Sequence, residues 1–231
     1  MSDRSGHLSP RLRAAHDDEC AAACIASASS RSADQLRSFL DSVKTDRLYG
    51  LFMLASLTGL RRGELLALQW PDVDLDRGLI AVQRSRVAVG YDVFEGTPKS
   101  GRARTVAIDP GTVAALRSHR SRQARDRLRW GDAWQDLGYL FTHKDGRALH
   151  PSSVSEMFKR RCSAANLVSI PFHGLRHTHA TLGLAAGISP KVMAERLGHA
   201  NVSITLDIYS HVLPGMQEDA AQRIAMLLFP R

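Results

Sequence analysis

Pro171-Phe172-His173-Gly174-Leu175-Arg176-His177-Thr178-His179-Ala180 is the stretch on which the reading of this chain turns. His173 and Arg176 stand three apart, after a proline and beside a glycine, and ahead of an apolar run (Ala180, Leu182, Leu184, Ala185). That spacing predicts a helix over 173–187 with the imidazole and the guanidinium on one side. Near a helix N-terminus, free N–H groups favour an anion in front of that pair. An apolar helix with one satisfied His and one solvated Arg fits the same residues, so the flanking sequence must decide.

Upstream, Ser32-Ala33-Asp34-Gln35 reads as a capping box that opens a helix with Leu36, Phe39, Leu40 and Val43 inward. A second helix, over 47–58, is apolar nearly all round and therefore central, and Gly59 stops it. Leu60-Arg61-Arg62-Gly63-Glu64-Leu65-Leu66-Ala67-Leu68 follows directly. Arg61 thus starts from the protein interior and needs a partner, which Glu64 at i+3 supplies. Two readings are open: a buried ion pair with a structural role, or an arginine held by Glu64 and aimed at a phosphate.

Residues 79–89 alternate and are rich in β-branched side chains, which predicts one strand, with a hairpin return at 91–94. A turn at 98–101 and a strand at 104–108 put Lys99 on a hairpin tip among the basic neighbours Arg102 and Arg104. Asp109-Pro110 opens a strongly basic helix to about Arg129 whose inner face is thin (Val113, Leu116, Leu128), so it reads as a solvated helix or a DNA-backbone face. Residues 139–141 and 144–147 predict a short strand and a turn, and Ser153-Val154-Ser155-Glu156 caps a helix to about Ala165. Ser189-Pro190 opens a short helix that ends at Gly198-His199, and Tyr209 lies ten residues past that histidine. Beyond Pro214, Met216, Ala220, Ile224, Leu227 and Leu228 form one face of an amphipathic helix.

The chain has 231 residues, 44% of them hydrophobic, enough to bury a real core. Its 31 Lys and Arg against 23 Asp and Glu give a net charge of +8, which attracts polyanions, nucleic acid first and anionic membrane second. Cys20, Cys24 and Cys162 are too few and too scattered for a disulfide framework, and no apolar run approaches a membrane span. A soluble, cytoplasmic protein is expected, with residues 1–30 a disordered or vestigial leader.

Two arginines at helix starts (Arg61, Arg176), a loop lysine (Lys99), two histidines (His173, His199) and a tyrosine (Tyr209) supply what breaking and rejoining a DNA strand without a metal requires. Tyrosine can store the diester bond, and its pKa near 10 calls for a nearby base. Guanidinium forks meet the extra charge of a five-coordinate transition state, and a lysine can protonate the departing 5′-oxygen. No acidic cluster of the kind Mg²⁺ nucleases use is apparent in the sequence.

Thr58-Gly59-Leu60-Arg61-Arg62-Gly63-Glu64-Leu65-Leu66-Ala67-Leu68-Gln69-Trp70 resembles the first box of the tyrosine recombinases of the phage-integrase family. His173-Gly174-Leu175-Arg176-His177-Thr178 with Ala180-Thr181 resembles the second, and Leu197-Gly198-His199-Ala200-Asn201 and the segment around Tyr209 resemble the remaining signatures, in the same order and at similar intervals. The resemblance implies an α+β, mainly helical catalytic domain over 31–231 with a small antiparallel β-sheet at one edge. It implies that Arg61 and Arg176 grip the scissile phosphate, that His199 hydrogen-bonds it, and that His173 is the base or a proton carrier. Lys99 would be the general acid, Tyr209 the nucleophile of a 3′-phosphotyrosyl link, and Glu64 a brace. No metal and no nucleotide cofactor is implied. The implied partner is double-stranded DNA, bound by a homo-tetramer on paired sites, with a monomer in isolation and no membrane. The segment after the tyrosine would dock on a neighbour or on its own domain.

Two features depart from the family. Its usual N-terminal helical DNA-binding domain is apparently missing, and Gly174 stands where an acidic or amide residue is commoner. The first departure leaves a rival: an integrase remnant that binds DNA weakly without completing recombination. A topoisomerase-like relaxing activity uses the same chemistry. A metal hydrolase built on His173, His177 and His179 is the remaining alternative, although the spacing lacks the glutamate of an HExxH motif.

Overall fold

Ser32 starts the first helix by reciprocal capping: its hydroxyl accepts from the Gln35 N–H at 3.2 Å, and the Gln35 side chain accepts from the Ser32 N–H at 3.1 Å. The computed structural model describes residues 32–90, 92–98, 103–210, 225–226 and 228–229, without the side chains of 207–210. The expected leader, Lys99 and most of the apolar helix beyond Pro214 lie outside the described residues.

Helix α1 (Ala33–Ser42) turns Leu36 and Phe39 inward onto α2 (Tyr49–Thr58), whose Leu51, Phe52 and Leu54 are completely buried. Helix α2 is apolar on most of its circumference because it is surrounded: α1, α3 (Arg62–Ala67), α4 (Pro110–Trp130) and α6 (Gly174–Ala185) all pack on it. Phe39, Phe52 and Phe158 of α5 (Pro151–Ala164) meet with ring centroids 5.0–6.2 Å apart, and Phe158 meets Phe172 edge to face at 5.4 Å. Phe172 thereby anchors in the core the segment that delivers His173 and α6. Two short helices, α7 (Pro190–Leu197) and α8 (Ser203–Ser210), follow and pack on α6. Met193 and Leu197 join Ala180 and Leu184 in a second, smaller core, where Gly183 leaves room for the Met193 sulfur.

The single strand expected over 79–89 is two strands in two sheets. Strand β2 (Leu79–Val82) pairs antiparallel with β1 (Val73–Asp74) and β5 (Arg104–Ala107), whereas β3 (Ser85–Val89) pairs with β4 (Asp92–Gly96) in a separate ribbon. The cause lies in α3. A side chain at Gly63 would stand 2.5 Å from the Arg86 carbonyl, so glycine there lets β3 leave the first sheet and lie against the helix. Arg84, at the break, pairs with Asp72 at 2.6 Å and reaches Glu95 at 3.5 Å.

The basic helix α4 also departs from expectation. Leu128 is 83% exposed; Thr112, Leu116, His119 and Gln123 face inward. The polar pair is needed because residues 139–142 form only isolated bridges, Tyr139 to Gln69 and Thr142 to Ala148, and leave the Tyr139 and Leu140 carbonyls without a backbone donor. His119 Nε2 bonds the Leu140 carbonyl at 2.8 Å, and the Gln123 amide donates to Tyr139 O and Thr142 Oγ1. Outward, Arg117 pairs with Asp76, Arg127 with Asp136, Arg122 donates to the Asp46 carbonyl, and Arg120 stacks over Trp70. Much of the helix's charge is therefore engaged within the chain. Helix α5 starts before the expected Ser153, because the His150 ring accepts from the Ser152 N–H and Pro151 occupies the first turn. No helix among the described residues is long and apolar enough to cross a membrane.

Replacing Phe52 by Ala removes the ring shared by α1, α2 and α5 and is expected to cost about 3–5 kcal/mol in chemical denaturation. Burial, and then the positive charges of Arg47 and Arg122, push the His119 pKa down to about 4 against its ordinary 6.5. The folded ring stays neutral while the unfolded one charges, so this contribution to stability is complete above pH 6.5 and lost as pH falls toward 4. Melting temperature should drop across that window, and His119→Gln should flatten the slope.

Candidate active site

Glu64 is completely buried at the head of α3, and four N–H groups converge on its carboxylate. The Arg61 backbone N–H and Nη1 donate at 2.9 Å each; Arg104 Nη1 and Nη2, from the start of β5, donate at 3.0 and 2.8 Å. Burial opposes the charged form, but the bonds and charge of Arg104, followed by those of Arg61, outweigh it and hold the carboxyl below the usual carboxylate range. Arg104 Nε donates to the Arg196 carbonyl at 3.0 Å, and Arg61 Nη2 donates to the Gly198 carbonyl at 3.1 Å. Both arginines are thus tied to the end of α7.

Arg176 enters from α6, 5% exposed. Its Nη1 donates to the Gly59 carbonyl at 2.8 Å, while its Nη2 is buried and makes no hydrogen bond. Burial and the nearby Arg61 push its pKa down to about 9, with Glu64 pulling the other way and Arg104 adding to the repulsion. Gly59 and Gly198 are the left-handed residues that end α2 and α7, at φ +64° and +69°. The two site arginines are therefore each held by a carbonyl at a helix C-terminus, where the backbone dipole favours a cation. Neither glycine admits a side chain: a Cβ at Gly59 would meet Leu197 and His179 at 2.6 and 2.9 Å, and one at Gly198 the Arg104 guanidinium at 2.7 Å. Arg196 completes the frame by donating to Leu57 O, Ala107 O and His179 Nε2, which ties α7 to α2, β5 and α6.

His199, just past α7, bonds the buried Thr205 hydroxyl through Nδ1 at 2.8 Å. Burial, then Arg176 and Arg61, push its pKa to about 4, so the ring is neutral near pH 7. A Thr205 hydroxyl that donates to Nδ1 places the ring proton on Nε2, available to an acceptor. His173, exposed at the mouth, packs edge to face against His177 at 5.0 Å. Lost hydration, then His177, Arg176, Arg61 and Arg62, lower its pKa as well. His179 is bonded to Arg196 instead. Among the described residues, no group of three or more His, Cys, Asp or Glu could hold a metal ion.

Of the sequence-predicted residues, Arg61, Glu64, Arg176, His173 and His199 are gathered here from α3, α6 and the ends of α6 and α7. Tyr209 lies on α8, which packs on α6 and α7; its phenol, like Lys99, lies outside the described residues. In the sequence Arg104 stands out only as a basic neighbour of Lys99. Its signal was the strand period, which sets it on the same face as the buried Val106. Beside Arg61 opens a cleft of about 700 Å³ lined by Arg62, Arg86, Ser155, Lys159, Phe172 and His173 among others. Arg62 donates to Ser155 Oγ at 2.6 Å, and neither it nor Lys159 makes an ion pair among the described residues.

The sequence pattern of the phage integrase family matches residues 31–216. A tyrosine recombinase XerC-like protein of Caldanaerobacter subterraneus subsp. tengcongensis is 34% identical over 84% of this chain and 53% of its own length. The crystal structure of XerA recombinase is similar with a TM-score of 0.64 at 27% identity, covering 87% of this chain and 65% of that one. The Tn1549 transposon integrase, solved in complex with a circular intermediate DNA, shares the fold with a TM-score of 0.70 at 22% identity over 84% of this chain and 65% of that one. The chain spans about half the length of the curated relatives it matches. With its boxes in order and its arginines, glutamate and histidines drawn to one place, the chain belongs to the phage integrase family.

Proposed function

We propose that this chain performs site-specific DNA recombination by metal-independent transesterification through Tyr209. The observation that carries this reading is Arg176: a buried guanidinium with a free Nη2, beside Arg61 and a neutral His199. Leaving a buried donor unmade costs about 1–3 kcal/mol, more for a charged group, and a non-bridging oxygen of a phosphodiester would remove that cost. Arg61 and Arg176 then hold the scissile phosphate, and His199 Nε2–H donates to it. The Tyr209 oxygen attacks phosphorus and its proton passes to His173, whose lowered pKa keeps it neutral and able to accept. The bond from phosphorus to the 5′-oxygen breaks, and Lys99 protonates that oxygen. Attack by a 5′-hydroxyl on the 3′-phosphotyrosine reverses the sequence and reseals the strand.

Double-stranded DNA as partner is supported by the charge of +8, by the cationic cleft beside Arg61, and by the DNA-bound Tn1549 integrase of the same fold. A homo-tetramer on paired sites is the assembly this reading expects.

A pool of nicked duplexes with randomised cores, incubated with the full chain, should yield a denaturant-resistant protein–DNA adduct that persists with chelator and disappears in Tyr209→Phe. An adduct that survives that substitution removes Tyr209 from its role; none from folded protein overturns the proposal. In binding to the same pool, Arg62→Ala should lower the slope of log Kd against log salt by about 0.9, as expected for one lost phosphate contact. Arg117→Ala should leave the slope unchanged, because Arg117 is already paired with Asp76.

A further inference from the structure

We infer that Arg104 is a positioning residue of this site: its guanidinium, seated over Gly198 and forked onto Glu64, sets the carboxylate that holds Arg61. The inference rests on the function proposed above and extends it to a residue outside the phosphate-binding set.

Four observations carry it. Arg104 is 11% exposed along its side chain, and three of its nitrogens are engaged, two with Glu64 and one with the Arg196 carbonyl. All three guanidinium nitrogens are therefore held within the chain. Glu64 has no exposure at all, so its ionisation and aim depend wholly on what surrounds it. Arg61 contributes one side-chain bond and one backbone bond to the carboxylate; Arg104 contributes a bidentate pair, the geometry that fixes a carboxylate plane. Finally, the guanidinium lies against Gly198, where a methyl group would stand 2.7–2.9 Å from its Nη1, Cζ and Nε. Gly198 also supplies the carbonyl for Arg61 and precedes His199. One side chain on β5 thus sets the relation between the head of α3 and the end of α7, the two places from which Arg61 and His199 project.

Without Arg104, burial raises the Glu64 pKa, since Arg104 is the largest influence holding it down. The charged groups facing Glu64 would then be Arg61 on its own helix and Arg176 from α6, with His199 beyond the end of α7 and neutral. Protonated Glu64 no longer holds Arg61 by charge, so activity should fall as pH falls through the raised pKa and recover above it.

The test measures adduct formation on the duplexes captured by the wild-type chain, against pH, together with affinity in a Tyr209→Phe background. Arg104→Gln should slow cleavage by about 100-fold, the scale of removing one fixed transition-state donor. Its acid limb should move to higher pH while the salt slope of binding stays at the wild-type value. Gly198→Ala, which displaces the same guanidinium, should reproduce the shifted limb. Arg104→Gln combined with Glu64→Gln removes the buried charge, so it should fold and show slow cleavage without that limb. Wild-type rates in Arg104→Gln, or slow cleavage with an unmoved acid limb, overturn the inference, as does a lower salt slope, which would make Arg104 a phosphate contact. An absence of adduct from the wild-type chain is a failure of the proposed function instead, and the two results are read from different samples.

Discussion

A single carboxylate removed from water organises this protein. Glu64 has no solvent contact, and an unpaired charge in such a place costs several kcal/mol. It persists as an anion because two guanidinium groups and a backbone N–H surround it. The pairing is not a large source of net stability, since desolvation offsets much of the attraction. Its effect is geometric. A carboxylate with four donors has one orientation, and arginines tied to it have one orientation too.

The second constraint is a matter of excess charge. Arg61, Arg104 and Arg176 stand together with one carboxylate, and the histidines around them are kept neutral by burial first and by these positive charges second. The cluster tolerates this because backbone carbonyls at two helix ends share the load, Gly59 O for Arg176 and Gly198 O for Arg61. Left-handed glycines end both helices, so the carbonyls that α2 and α7 would otherwise leave to water face the guanidiniums. The Nη2 of Arg176 is a buried donor with no hydrogen-bond partner among the described residues, and a phosphate oxygen is the acceptor we propose for it.

The aromatic core connects this cluster to the fold. Phe158 packs with Phe39 and Phe52 on one side and Phe172 on the other, and Phe172 immediately precedes His173. Arg196 performs the same service at the opposite end, with three bonds to three different elements and no carboxylate. The mouth of the site is left comparatively open, with His173 and the cationic cleft exposed.

What the sequence alone determined is what local spacing encodes. The capping box at Ser32, the stop at Gly59, the i, i+3 relation of Arg61 to Glu64 and of His173 to Arg176, and the short helix ending at Gly198 all follow from contacts within a few residues. The boxes around them were legible because their chemistry comes in ordered sets. Only the tertiary structure decided the rest. The β-rich run of 79–89 reads as one strand, yet the chain changes sheets at Gln83 and Arg84, where Gly63, twenty residues earlier, admits the backbone of β3. Leu128 has the hydropathy of a core residue and lies in solvent, while His119 and Gln123 are buried to satisfy carbonyls across the fold. Arg104 meets Glu64 across forty positions of sequence. A hydrogen-bond partner so distant leaves no periodic trace, because closing that loop is the work of the whole core and not of any segment.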